Sequence, residues 1–581
     1  MVLVVALVSI HSRESTASGW SGTGIKSAST ASRTHPATDG ANFAELQWQT
    51  VVNNSFAIPD GKTNFSSYSQ PSVNSQGMVV FRARSTGGQR ETGIFLRKGI
   101  SGKVTKIVDL NTLVPYPNNL NADFLEFSAI ARVAANSDHA AFVGLHKPAY
   151  RYTLPDGSET RAGTAGIYTL TEAGLLVTGA SKLGNAPDFE YFAVPGTKDV
   201  PFDIFPGAPA LTDNGMIVFK GNYQIDAEGK TGIFCRRLYN SPGGGTEPVE
   251  LIASTDDDIP GLPPSFRGIT FGSTAPPSVY GSKLVFLGLD NEEDPYFGGI
   301  YMSEIKGGSE LEKVIGIGDV PPGLEGTVGE LRRIGEALSF DGRFIGFWAS
   351  WSNEMKTIRL YCPADGNPDL INYCNGIDPL SSYDEDAGKW YQDRDVPVNQ
   401  GMFMYDLMMG RTYLLSRGPG DFADFVFWVY SGKVPGSGPD IDAEPPKWRS
   451  SAFVTVSDGL AVFKARTGYL DKKGAYFYPT DGLYLADPMN AKPLEDVAVM
   501  GMDGALFDNQ LVPGVLPVTG VGIEREGLRG NKLAISLTMA NEEEGWGGIY
   551  VATLRGNQPA KLVSDEKNNV LLPSLKKVKR Q

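Results

Sequence analysis

The chain has 581 residues, among them 69 Gly, 38 Pro and 3 Cys, and its formal net charge is −14. That balance excludes nucleic acid as a partner, because phosphate recognition needs a basic surface, and it leaves open cationic partners, bound cations or a plain role in solubility. Dense Gly and Pro without a sustained i, i+3, i+4, i+7 apolar pattern excludes a helical class and predicts many short strands joined by tight turns.

In chain order, the apolar run Val2–Ile10 is too short to span a bilayer and reads as the core of a secretory leader, without the usual basic start. Residues 1–40, rich in Ser, Thr and Gly, are expected to be a leader or a disordered segment, and no later segment is apolar enough to cross a membrane. From residue 41 a repeat takes over. Its first element is an Asn/Asp/Gly turn followed by an alternating strand that ends in Phe: Asn74-Ser75-Gln76-Gly77-Met78-Val79-Val80-Phe81, then Thr212-Asp213-Asn214-Gly215-Met216-Ile217-Val218-Phe219. Weaker copies run from Val279 to Phe286, Ser339 to Phe347 and Val456 to Phe463, with degenerate ones from Ala135 to Phe142 and Leu528 to Ile535. Gly, Asn and Asp suit the φ > 0 positions of such hairpin turns. A second element, Gly-Ile-Phe or Gly-Ile-Tyr, opens another strand at Gly93, Gly166, Gly232, Gly299 and Gly548, with looser versions at Gly401 and Gly482. A third, β-branched strand such as Lys106-Ile107-Val108 or Leu251-Ile252-Ala253 often runs into a Pro-Gly turn.

With the strand before each turn, the unit has four antiparallel strands and occurs seven times. A lone sheet of this kind has two apolar faces, and stacking around a ring buries both. The predicted fold is therefore all-β: a seven-bladed β-propeller of four-stranded antiparallel blades over residues 41–566, followed by a basic C-terminal tail at 567–581. Two tandem β-sandwiches and an open solenoid are the rival architectures, and the two degenerate copies leave six or eight blades open. Two segments compete to complete the last blade: Leu46–Val52 and Lys561–Ser564.

The Asn-x-x-Gly-x-x-x-Phe turns, the Gly-Ile-Tyr strands and the Pro-Gly connectors resemble those of secreted bacterial tandem-repeat proteins named for their Asn/Gly/Phe pattern. The resemblance covers most of residues 43–556. It implies export and a propeller-like fold but no particular activity, so no catalytic residue is carried over. The fifth unit departs from the pattern by a large insertion.

That insertion, 351–400, falls between the second and third strands of unit five, and a second, 417–447, leads to unit six. Both are predicted on the face that commonly holds ligands and read together as a lid over the channel mouth. Their aromatics and charges, notably Trp390, Tyr391, Arg394, Asp395, Phe425, Trp428 and Tyr430, suit sugar rings that stack on apolar faces while hydroxyls meet charged groups. The alternative is that these rings only pack the insertion in place. Cys362 and Cys374 are expected to form a disulfide, which fits export, and Cys235 a buried free thiol. Asp290, Glu292 and Asp294 offer oxygen ligands for Ca²⁺, or are solvated turn charges; they do not match the twelve-residue calcium loop. His146 with Tyr150 and Arg151 is the most suggestive base-like cluster, although a loop His among aromatics is more often structural. Zinc spacings, nucleophile elbows and phosphate loops are absent. Three functions remain: a secreted propeller binding an extracellular glycan or protein at the lid-covered mouth, a polysaccharide lyase or glycosidase, and a structural cell-surface protein.

Overall fold

The computed structural model describes residues 46–86, 91–99, 101–364, 366–435 and 445–554. The fold is all-β, and Pro368–Cys374 is the one α-helix among the described residues. The described residues hold no helix long and apolar enough to cross a membrane. The leader, the basic tail and the segment Lys561–Ser564 lie outside them.

Seven antiparallel sheets follow one another along the chain. Each has four strand positions, and in five the first is split into two short pieces that pair with the same second strand. Sheet A (67–109), sheet B (124–181), sheet C (210–254), sheet D (273–316), sheet E (331–418), sheet F (454–499) and sheet G (518–553) all share this order. The fourth strand of sheet G is Trp48–Asn53 from the other end of the chain, paired antiparallel to Gly548–Ala552. Of the two predicted closing segments, the structure uses the N-terminal one.

The repeat motifs have local physical causes. In the turn of sheet A, Asn74 Oδ1 accepts from the amides of Gln76 (3.1 Å) and Met78 (2.8 Å), while Gly77 takes φ +83°. Thr212 and Gly215 repeat this in sheet C, with Met216 N donating to Thr212 Oγ1 at 3.0 Å and φ +80° at the glycine. In the Gly-Ile-aromatic strands the ring lies back over the glycine two residues earlier. A Cβ on Gly166, Gly232 or Gly482 would sit 2.8, 2.8 or 2.7 Å from the ring or hydroxyl of Tyr168, Phe234 or Tyr484. The pair Gly and aromatic is one packing unit, since alternate residues share a strand face.

Seven apolar clusters join neighbouring sheets: A with B, B with C, C with D, D with E, E with F and F with G. The seventh joins G to A, where Ala534, Ile549 and Val551 meet Val79, Phe81 and Phe95. Hydroxyls stitch the inner strands in the same sense. Ser72, Ser278, Ser339 and Thr455 accept from the amides of Val133, Phe340, Val456 and Leu528 in the next sheet, at 3.0, 3.2, 3.0 and 3.0 Å.

The insertion in sheet E folds as a three-stranded sheet (Met355–Tyr361, Ser382–Asp384, Lys389–Pro397) plus the helix, closed by the disulfide Cys362–Cys374. The second insertion contributes the hairpin Phe427–Ser431 with Lys447–Ser451. Their apolar faces are shared with one another and with the long hairpin of sheet F, where Leu470 and Tyr476 pack on Ile358, Leu360 and Val396.

Candidate functional site

The inner strands converge on one segment, Ile523–Gly527, between the two pieces of the first strand of sheet G. Glu526 O accepts from Val73 N of sheet A at 3.0 Å, and Glu526 Oε1 from Ser278 Oγ of sheet D at 2.9 Å. Arg525 O accepts from Ser339 Oγ of sheet E (2.7 Å) and Thr455 Oγ1 of sheet F (3.0 Å). Arg132 of sheet B donates to Glu524 Oε1 at 2.6 Å and also faces Ala208 O ahead of sheet C. Glu526 is ion-paired with Arg529. Burial pushes the Arg525 and Arg529 guanidiniums down to about 9 and about 10. This charged hub ties sheet G directly to sheets A, B, D, E and F, and through Arg132 to the residues ahead of sheet C.

On the side of the repeat turns the hub is capped by a pocket of about 190 Å³, lined by Ser75, Asn136, Tyr280, Asp341, Asp458 and Arg529 among others. The turns are tied together around it. Ser75 Oγ donates to Asn136 Oδ1 at 2.8 Å, Asn136 donates to Asp213 at 2.6 and 2.9 Å, and Asp458 N donates to Asp341 Oδ2 at 2.7 Å. Asp341 Oδ1 takes the amides of Arg343 and Phe344, and burial raises its carboxyl above the ordinary range. Asp458 is exposed. Elsewhere, Lys220 is buried. Burial holds its amine below the ordinary lysine range, against the attraction of Glu336 and Glu292.

The sequence-predicted residues fall elsewhere. Trp390, Tyr391, Arg394 and Asp395 share the strand Lys389–Pro397 of the insertion. Trp390 packs edge-on against Tyr383 (5.4 Å), Tyr391 lies under the Arg359 guanidinium (3.6 Å), Arg394 donates to Gln392 Oε1 (2.7 Å), and Asp395 accepts from Thr357 Oγ1 (2.7 Å). Phe425 has 0% of its surface exposed and belongs to the core between sheets E and F, so it is not available to a ligand. Tyr430 is buried, its hydroxyl donating to Asp378 Oδ2, and Trp428 bridges two apolar clusters. These aromatics hold the insertions together. They do not converge on the hub pocket, which opens at the opposite ends of the second strands.

His146 is a core residue beside Phe124 and Tyr168. Its Nδ1 is 2.6 Å from Lys147 O, and burial lowers its pKa. Tyr150 and Arg151 stand on a separate hairpin, where Tyr150 packs on Phe189 and Arg151 pairs with Glu159. The three do not form a base cluster. Asp290 accepts the amides of Tyr296 and Phe297, Glu292 accepts from Ser273 Oγ, and Asp294 lies 4.0 Å from Arg333. Among the described residues no three His, Cys, Asp or Glu side chains are grouped to hold a metal. Cys235 is buried and free, its thiol pushed up to about 12 by burial.

A clasp joins the insertion to the sheet F hairpin. Asp384 accepts from Lys473 Nζ (3.0 Å), Arg359 Nη1 (3.0 Å) and Tyr361 Oη (3.2 Å). The hydrogen bond from Lys473, above all, holds the Asp384 carboxyl well below the usual range. A depressed carboxylate adds stability above its unfolded pKa, near 4, and loses it as pH falls through the folded value. Protection of the amides around residues 470–476, the exchange rate relative to its intrinsic value at each pH, is therefore expected to stay constant from pH 8 to 5 and to fall below about pH 4. Unchanged protection down to pH 2 would show that the clasp does not depend on this ion pair.

No known family model matches the chain, and no curated protein matches it. Among solved structures it is similar to the acylaminoacyl peptidase of Pyrococcus horikoshii, at 10% identity over 82% of this chain and 51% of that one, with a TM-score of 0.35. It is also similar to polysaccharide lyase Uly1, at 13% identity over 52% of this chain and 58% of that one, with a TM-score of 0.28. The Nup133 β-propeller domain of Vanderwaltozyma polyspora shares 10% identity over 85% of this chain and 98% of its own, with a TM-score of 0.24. The chain thus spans 51% and 58% of the peptidase and the lyase.

Proposed function

We propose that the chain is an exported seven-bladed β-propeller that binds a small polar ligand, a sugar unit foremost, at the turn-side mouth of its axis. The observation that carries this reading is the 190 Å³ pocket assembled from the repeat turns over the charged hub. Its volume is on the scale of a cavity of about 150 Å³ that holds a six-membered ring. Its lining combines a free acceptor (Asp458), donors (Asn136, Arg529) and one aromatic face (Tyr280), the combination a polyhydroxylated ring needs. Binding is favoured over glycoside hydrolysis because both oxygens of Asp341 are already held by backbone amides. That leaves one free carboxylate, Asp458, where hydrolysis needs two.

Thermal-shift titrations with a panel of mono- and oligosaccharides test this. A ligand at a hundred times its Kd is expected to stabilise the protein by about 2.7 kcal/mol. Asp458→Gly, which suits the left-handed backbone of this exposed position (φ +53°), is expected to remove that shift while the free protein melts within a degree or two of wild type. A panel without any shift, or equal shifts in wild type and variant, would overturn the reading.

A further inference from the structure

The long hairpin of sheet F ends in three exposed aromatic rings: Tyr469 (58% exposed), Phe477 (42%) and Tyr478 (75%). Two departures from regular strand geometry bring them together. Consecutive strand residues ordinarily point to opposite faces. Here Tyr478 adopts φ +49°, a left-handed conformation that a bulky aromatic takes only at a cost, and its ring lies 4.2 Å from that of Phe477. Opposite, a register shift passes over Gly468, whose φ is +107°, so that Tyr469 faces Phe477 with ring centroids 5.2 Å apart.

The hairpin tip is also held from below. Arg359 N donates to Gly474 O at 2.7 Å, Lys473 binds Asp384 and Asp386, and Leu470 and Tyr476 are packed on the insertion. Strain spent on gathering solvent-facing rings, on a tip that an ordered insertion fixes in place, is the signature of a preorganised contact surface.

We propose that Tyr469, Phe477 and Tyr478 form a stacking platform for a neutral glycan chain, and that the insertion in sheet E serves to hold that platform rigid. Stacking on ring faces, with two phenolic hydroxyls at the rim, suits pyranose rings. The chain's net charge of −14 disfavours an anionic bilayer or an acidic polysaccharide as the occupant. The platform is on different residues from the axis pocket and does not depend on ligand binding there.

Affinity electrophoresis of the full chain in gels containing soluble neutral polysaccharides tests the proposal. Wild type is expected to be retarded by at least one of them. Tyr469→Ala, Phe477→Ala and Tyr478→Ala are each expected to weaken retardation roughly two- to tenfold. Tyr296→Ala, which removes a lone ring 71% exposed elsewhere, is expected to leave it unchanged. Tyr478→Gly separates function from folding: it relieves the left-handed strain, so melting is expected to rise while retardation falls. Full retardation of the triple alanine variant, an equal loss in Tyr296→Ala, or binding to neutral phosphatidylcholine vesicles in place of every polysaccharide would overturn the proposal.

Discussion

Glu524→Ala is expected to destabilise the protein by about 3–5 kcal/mol, the cost of breaking a buried ion pair from one side. Glu524 Oε1 receives Arg132 Nη2 at 2.6 Å and lies 3.6 Å from Arg525 Nε, and Oε2 takes the amide of Glu526 at 2.6 Å. The Arg132 and Glu524 side chains are 1% and 8% exposed, so water does not replace a lost partner. Truncation strands two guanidiniums at the segment that binds the inner strands of five other sheets. Because those bonds reach across sheets separated by hundreds of residues, the loss is expected in the global transition and not in a local one. Arg132→Met/Glu524→Met removes both charges and is expected to recover much of the stability, since paired buried charges replaced by apolar groups are often near neutral. Urea midpoints of the three proteins decide. A single-variant cost under about 1 kcal/mol would mean that water reaches the hub.

The hub itself was not legible in the sequence, for a physical reason. Ile523-Glu524-Arg525-Glu526-Gly527 has the composition of a solvated turn, and only closure of the sheets brings Arg132, Ser278, Ser339 and Thr455 within reach of it. The turns and the Gly-Ile-aromatic strands were legible because their causes are local: a side-chain oxygen that binds two amides, and a glycine that makes room for a ring two residues on. That the same turns line a pocket depends on where they gather, which no single repeat encodes. The aromatics of the insertions were visible, but composition does not distinguish a ring facing solvent from Phe425 or Tyr430, which face inward. Nothing in the Tyr-Phe-Tyr run at 476–478 marks it in the sequence, because the left-handed backbone at Tyr478 has no signature in residue type. The spacing of Cys362 and Cys374 did suffice for their disulfide, since twelve residues close a short loop.

A variant lacking residues 1–54 is expected to lose several kcal/mol and to aggregate, because it removes the strand that joins the last sheet to the first. Val51 and Val52 have no exposed surface, and burying each is worth about 1.5–3 kcal/mol. Asn53 Nδ2 donates to Asp508 Oδ2 at 2.7 Å, and the same carboxylate receives Trp546 Nε1 (3.1 Å) and Tyr550 Oη (3.0 Å). Deletion therefore also loosens the partners of the strand Gly545–Thr553 and leaves its outer edge open, a template for pairing with other chains. The edge makes the prediction specific. A peptide of residues 44–56 added in trans is expected to restore melting and solubility by strand addition, whereas the same peptide with Val51 and Val52 replaced by Asp is not. Removing residues 559–581, which carry the other candidate closing segment, is expected to leave melting unchanged. If the N-terminal deletion melts within a degree or two of the intact chain, the seam between the last sheet and the first is held by something other than Trp48–Asn53.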